Sequence, residues 1–471
     1  MKKHIFTLLV TLTILLTTAQ NLFAIGGNMG GPSQDGSADH PYLIEDFNDF
    51  QTFQTDPNYW ATGIHTRLDC DLDLDPNLPD RQIYITAVAP ALLGHFDGND
   101  HTISNLIIDS NGSNDSNDWW YVGLFGIIEG YDAVVENLGL KNVNITITDA
   151  NFSGEVGGLC GFNGQCYSTD RFGGTITNCY VTGTVVGGGH AFAIGGLCGG
   201  NWKGNINDCY TTVTVTGRDN SEYVGGICGD NYGNIANCYA TGAVTGRKDF
   251  GGLCGYNEGT ITNCHATGLV TGIFDPYRFG GLCGYNRGTI INSYATGKVT
   301  GEGNACDLGG LCGFNYGGDV INCYATGAVD GNTYNGGLCG QNVGTINNCY
   351  ATGAVDENTY NGGLCGLQRG PYAEINNSFW DIETSEMTIG YSQDPEYPGT
   401  ITNVIGKTTA EMKTVGTFLD AGWDLVTVWN IEDGQTYPLL RKYSAFDTNY
   451  DNKVNFIDFA DFAKHWLDGV E

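Results

Sequence analysis

Positive charge is the scarcest commodity in this sequence. Lysine and arginine number 20 against 52 aspartates and glutamates, a formal net charge of −32 over 471 residues. So acidic a surface repels phosphate backbones and anionic lipid headgroups, which excludes nucleic acid as an expected partner. It suits an extracellular protein or one that binds cations. Long apolar runs are also missing: past the first two dozen residues nothing is long enough to cross a bilayer, so no membrane span is expected in the mature chain. No Cys-x-x-Cys pair with matching histidines occurs, which argues against zinc.

What remains is glycine, 72 residues of it, with 17 cysteines. The start reads as an export signal: Lys2 and Lys3, then an apolar stretch over residues 5–18 interrupted mainly by threonine. Such a stretch is too short for a comfortable span, and cleavage fits after Ala19 or after Ala24. The expected location is therefore secreted or at the cell surface.

Residues 251–268 show the unit that dominates the chain, Gly-Gly-Leu-Cys-Gly-Tyr-Asn-Glu-Gly-Thr-Ile-Thr-Asn-Cys-His-Ala-Thr-Gly. Near-copies recur from about residue 157 to 380 at a period of mostly about 26 to 30 residues, which is the signature of a solenoid. Aligned on Gly-Leu-Cys-Gly, the first cysteines are Cys160, Cys198, Cys228, Cys254, Cys283, Cys312, Cys339 and Cys365. Three residues later stands an amide in every copy, Asn163 to Gln368. A second column runs Asn178, Asp208, Asn237, Asn263, Asn292, Asn322, Asn348 and Asn377, each with an aliphatic residue two positions before it. Short β-branched segments bounded by Gly and Asn favour strands. The reading is an all-β, right-handed parallel β-helix of roughly ten coils, three strands per coil, with amide ladders at two corners and a small α-helical C-terminal tail. Gly123-Leu124-Phe125-Gly126 and Val135-Glu136-Asn137-Leu138 extend the pattern upstream. Residues 101–106 read as a further copy of the second half alone, with Leu106 in the second cysteine slot.

The expected organisation is a signal peptide at 1–24, an N-terminal cap and first strands at 25–93, the β-helix at 94–380, a C-terminal cap at 381–440 and a separate tail at 441–471. Phe47, Phe50 and Phe53 recur at helical spacing in the N-terminal cap. A short helix is expected within residues 407–419, with Thr409 as N-cap, and Trp423, Trp429 and Tyr437 should cover the last coil.

Because Phe125 and Leu138 occupy cysteine slots, those slots should face an apolar interior, where cysteine acts as a small hydrophobe. Stacked buried thiols and partial disulfide formation both remain open, since an exported chain permits disulfides. Directly after the second cysteine come Tyr180, Tyr210, Tyr239, His265, Tyr294, Tyr324, Tyr350 and Phe379. Strand alternation turns these rings outward, where they either stack on a sugar ligand or on one another. Other candidate ligand contacts are Tyr277, in a distinctive variable loop, and Trp119-Trp120.

The repeated Gly-Gly-Leu-Cys-Gly-x-Asn-x-Gly-Thr-Ile-x-Asn-Cys-Tyr-Ala-Thr-Gly resembles the GLUG motif of bacterial surface and secreted proteins. The resemblance implies a pectin-lyase-like β-helix and roles at the cell surface, including adhesion. Some immunoglobulin A-cleaving metallopeptidases carry the motif too, but the His-Glu-x-x-His string their zinc chemistry needs is absent here. The last residues differ in kind. Asp447, Asn449, Asp451, Lys453 and Asp458 follow the spacing of an EF-hand-like calcium loop, with Lys453 offering its carbonyl. This resembles half of a dockerin, which implies calcium as cofactor and a cohesin-like protein as partner. Only one such loop is present, and Asn452 stands where glycine is usual.

Three functions follow. The first is a non-catalytic surface protein that binds a polysaccharide or cell-surface component, attached through the calcium tail. The second is a carbohydrate-active enzyme on a β-helix. The third is a structural spacer. The regularity of the rungs and the scatter of the acids favour a protein without catalysis.

Overall fold

The computed structural model describes residues 29–31, 33–110, 121–149, 152–164, 173–218, 220–356 and 360–441. A segment such as Cys254–Asn257 is too short to bury its apolar side chains by itself, so it finds partners in its copies. Eleven such strands form one parallel sheet, from Ala89–Leu92 through the cysteine strands to Tyr391–Gln393. The register is one repeat per rung: Cys228 faces Cys254, which faces Cys283, and Phe125 faces Cys160. The chain is a parallel β-solenoid of about eleven turns. The additional rungs at Ala89 and Tyr391 lie outside the cysteine pattern.

A coil contains more pieces than the three expected strands. One runs Cys254–Asn257, Thr260–Thr262, His265–Ala266, then Val270–Gly280. The left-handed corner at Asn263 (φ 54°) cuts what reads as a single strand into two. The segment at residues 101–106 is also one column away from its expected place. Ile103 pairs with Leu140, and Asn105 accepts from Asn142 at 2.6 Å; the true partner of Val135 is Phe96. Leu106 is therefore buried, but not in the second cysteine slot. The error has a physical source, since any corner built on a left-handed asparagine shows the same Ile-x-Asn-Leu pattern.

The two amide ladders differ in role. The first is buried and lies outside the left-handed region. Asn163 donates to Asn201, and the chain of amides continues through Asn231, Asn257, Asn286, Asn315 and Asn342 to Gln368 at 2.7–2.9 Å. Each of these asparagines also donates to a nearby carbonyl, as Asn257 does to Gly259. Buried amides are thereby satisfied in a way an apolar side chain could not reproduce. The second ladder, Asn178 to Asn403, sits at the left-handed corner with φ of 45–55° at its asparagines and links in shorter runs, such as Asn263 to Asn237 at 3.2 Å.

All sixteen described cysteines are free thiols. Those of the second column do more than fill space. The thiol of Cys264 accepts from the Cys238 N–H at 3.4 Å and donates to the Thr262 carbonyl at 3.2 Å. Ser293, in the same column, accepts from the Cys264 N–H and donates to the Ile291 carbonyl. The kinked corner leaves a backbone N–H without its usual carbonyl, and sulfur or oxygen supplies the acceptor. Serine recurs here because it makes both bonds.

Helix Phe47–Thr55, capped by Asp46, lays Phe50 and Phe53 onto the start of the core, with the Phe53 ring 5.3 Å from Phe96. The far end is arranged differently. Helix Thr409–Met412 is capped by Thr408, not Thr409, because Thr408 and Glu411 complete a reciprocal capping box. Helix Val415–Leu419 and the antiparallel pair Trp429–Asn430 and Leu439–Leu440 follow. This segment lies along the flank of the final coils. The last rung, Thr400–Lys407, has no outer partner strand among the described residues, and Ile405 is 45% exposed.

Candidate ligand-binding faces

Three outward features could meet a ligand. The first is the predicted aromatic stripe. Its rings stack on one another along the axis: Tyr180 on Tyr210, then Tyr239, His265, Tyr294, Tyr324 and Tyr350, at centroid spacings of 4.7–5.0 Å and interplanar angles of 3–9°. The spacing is that of the coils themselves. Each inner ring has neighbours on both faces, so only edges point to solvent. Tyr324 and Tyr350 are not open at all. Trp423, Trp429, Phe418 and Met412 pack over them in a second apolar core, and the Tyr350 hydroxyl donates to the Pro438 carbonyl at 2.7 Å. Tyr437 continues the stack over Tyr350, 6.2 Å away. Beneath it Asp381 is fully buried and well supplied with donors, from Tyr437, Thr409 and the N–H groups of Glu383 and Thr384. At its C-terminal end, then, the stripe is core and not a ligand face.

The second feature lies where the cysteine strands meet the strands that precede them. Alignment on Gly-Leu-Cys-Gly shows the signal that finds it: the residue before the buried amide is Phe162, Tyr256, Tyr285 or Phe314, and the residue after it Trp202, Tyr232 or Tyr316. These rings form a belt, with Trp202 on Tyr232 at 4.7 Å and Tyr256 on Tyr285 at 5.3 Å. Acids are buried in the same belt. Asp249 pairs with Arg278 at 2.9 Å, and Arg278 also lies over the rings of Tyr277 and Tyr285. Tyr277 is thus a neighbour of an ion pair. Burial still pushes the Asp249 carboxyl up to about 7. Glu155 and Asp230 are stranger. Both are buried, and among the described residues Glu155 Oε2 and both oxygens of Asp230 lack a well-aligned hydrogen-bond partner, although the Trp202 side chain lies close enough to Asp230 to favour its charged form. They close over Gly200 from the coils on either side. A Cβ on Gly200 would lie 2.2 Å from Glu155 Oε2 and 2.6 Å from Asp230 Oδ1, so the two oxygens are no farther apart than the sum, 4.8 Å. Burial, with the Asp230 charge next, holds Glu155 well above the usual carboxylate range; burial pushes Asp230 up to about 7. Two carboxyls so placed hold a proton near neutrality.

The third feature is an open cleft of about 460 Å³. Tyr131 and Tyr232 flank it, and Thr175, Asn205, Asn234 and Thr260 line its wall. Gly173, Gly233 and Gly259 form part of the lining, where the absence of a side chain leaves backbone exposed. The Asn234 amide donates to Asn205 Oδ1 at 3.0 Å. Tyr131 is 68% exposed. Among the described residues no carboxylate lines this cleft, whereas Lys203 does. Its signal in the sequence is the Thr-Ile-Thr and Asn-Ile-Asn strands, whose outward side chains are less regular than the tyrosines.

Trp119, Trp120 and the predicted calcium ligands Asp447, Asn449, Asp451, Lys453 and Asp458 lie outside the described residues. Among the described residues no three acidic, histidine or cysteine side chains converge as a metal site.

Six consecutive segments, residues 152–186, 190–216, 220–245, 246–271, 275–300 and 304–330, match the profile of the GLUG motif. The chain carries GLUG repeats. The rungs at Cys339 and Cys365 lie beyond the matched segments, yet they keep the same register. Among curated proteins, halomucin from Haloquadratum walsbyi is 31% identical over 174 residues, 35% of this chain and 2% of its own length. A protein described as a candidate Gly-rich membrane protein from Evansella cellulosilytica is 34% identical over 133 residues, 27% of this chain and 14% of its own. The chain thus spans only a small part of either relative. A solved structure described as a candidate immunoglobulin A1 protease from Bacteroides ovatus aligns at 20% identity, covering 87% of this chain and 95% of that one, with a TM-score of 0.40. In all six GLUG repeats the cysteine strand supplies the rung, and the variable positions on either side of the buried amide supply the aromatic belt.

Proposed function

We propose that this chain is a non-catalytic GLUG-repeat protein of the cell surface or extracellular space, which binds polysaccharide or another surface component and is attached through its C-terminal calcium loop. The observation that carries the reading is the unbroken stack. From Cys160 to Cys365 every rung repeats in register, with no inserted lobe among the described residues that would build an enclosed reaction chamber. The names of the relatives, a halomucin and a membrane protein, are in keeping with a surface setting. One observation favours the enzyme reading, the carboxyl pair Glu155 and Asp230, since paired carboxylates are what glycoside cleavage uses. Both acids are closed off from solvent, however, and so from a polymer substrate.

The test has two arms on the secreted full chain. The first is binding and turnover against neutral and anionic polysaccharides; binding without cleavage is expected, and product release would return the enzyme reading. The second is a calorimetric calcium titration, with Asp447→Ala/Asp451→Ala as control. Loss of the calcium heat in that variant is expected, and an unchanged titration would remove the tail from the attachment role.

A further inference from the structure

We infer that the cleft between Tyr131 and Tyr232 is the seat of a neutral polysaccharide chain; this rests on the polysaccharide reading above and gives it a site and a ligand class. The argument begins with charge. The chain carries 52 acids, but the coils that build most of the cleft, residues 173–300, hold seven acids against seven bases, a net charge of zero. The two strand columns beside the cleft carry no acid. Pairing runs Thr175 to Asn205, Asn234, Thr260 and Thr289 in one column, with Thr177, Asn207, Ala236, Thr262 and Ile291 beside it. None of these ionises. The columns become acidic at either end, at Glu136 on one side and Asp319 on the other. Five consecutive coils therefore keep these two strand columns free of carboxylate, and Glu258 stands one rung from Tyr232 at the edge of the cleft.

The chemistry of the strip is that of a sugar's complement. A pyranose offers hydroxyls around its rim and C–H groups on its faces. Amides and hydroxyls answer the rim: Asn234 and Asn205 bond to each other through one donor and one acceptor, which leaves an amide oxygen on Asn234 and an NH₂ on Asn205 to face outward. Rings answer the faces. Tyr131 is 68% exposed and offers its ring to a ligand, and Tyr232 is backed by Trp202 at 4.7 Å, so Tyr232 presents apolar surface without having to be ordered on binding. The glycines of the lining allow close approach. An anionic polymer meets Lys203 as the one charged side chain of the described lining, in coils with no net charge, so a neutral one is the better fit. The stacked stripe from Tyr180 to Tyr294 competes poorly, because its rings already spend their faces on one another.

The test is isothermal calorimetry of the full chain with xylohexaose, cellohexaose and mannohexaose, and with oligogalacturonate as the anionic probe. At least one neutral oligosaccharide is expected to bind. Tyr131→Ala and Tyr232→Ala should each weaken that binding by about tenfold, and Asn205→Ala by about fivefold. Tyr131→Ala should leave the melting temperature unchanged, which separates binding from folding. If a neutral ligand binds and the cleft variants do not weaken it, while Tyr210→Ala or Tyr239→Ala does, the cleft is overturned and the polysaccharide reading stands. Binding of the anionic probe alone overturns the ligand class. Binding of none of them overturns the cleft and the polysaccharide reading together.

Discussion

The stack of rings runs unbroken from Tyr180 to Tyr350, but its two halves have different fates. From Tyr180 to Tyr294 the rings are half-buried and protect each other by stacking. From Tyr324 onward the chain returns and lays Trp423, Trp429 and Phe418 over them. The same repeat position is surface in one half and core in the other. A solenoid repeat therefore prescribes which way a side chain points and leaves open what it meets there. The buried acids differ in the same way. Asp381, under the covered half, meets four donors, whereas Asp230, beside the open half, meets another carboxyl.

The sharpest way to break the comparison is to remove one ring from each half. Trp429→Ala empties a fully buried site and should cost about 3–5 kcal/mol, read as faster hydrogen exchange confined to residues beyond Tyr324. Tyr210→Ala, in the open half, should cost below about 1 kcal/mol. Equal losses would show that the covering segment contributes no core.

The acids sharpen it next. Asp230 has its pKa raised from 3.8 to about 7, so between those values the folded chain holds a proton that the unfolded chain has released. Stability is therefore expected to fall as pH rises from about 4 to 7, by a few kcal/mol, and then to level off. Burial holds Glu155 above the usual carboxylate range as well, so Glu155→Gln removes its share of this decline and should flatten it. A melting temperature with the same pH slope in the variant and the parent would rule out the pair as its source. Asp381→Ala should cost about 2 kcal/mol, since it strands the donors of Tyr437 and Thr409.

A control within the interior should erase the difference between the halves. Cys264 in the open half and Cys349 in the covered half both accept a backbone N–H at 3.4 Å. Replacement by leucine should cost about 1–3 kcal/mol at either site, and replacement by serine below about 1 kcal/mol, measured by denaturant unfolding. A site-dependent cost would mean that the covering segment also reorganises the inside.

Much of the architecture was legible beforehand. The cysteine register, the pairing of Phe125 with Cys160 and the two amide columns all follow from aligning copies, because parallel stacking puts identical residues next to each other. The N-terminal helix was legible from the spacing of Phe47, Phe50 and Phe53. The column error at residues 101–106 arose because corners share one local pattern whichever column they belong to. The site was read less well. The most regular aromatic column is the most conspicuous in the sequence, and regularity is what allows rings to consume each other's faces. The cleft is built from the less regular positions, Tyr131 and Tyr232, and from threonines and asparagines that look like filler in any one repeat.

The sequence by itself determined the stacking and the inward or outward sense of each column, because both depend on residues one repeat apart. Tertiary structure alone decided that Tyr350 meets the Pro438 carbonyl, 88 positions along the chain, and that Glu155 meets Asp230 across a glycine. The first contact joins segments that no periodicity relates, and the second joins variable positions that neighbouring repeats do not share. Only the folded path of the chain brings them together.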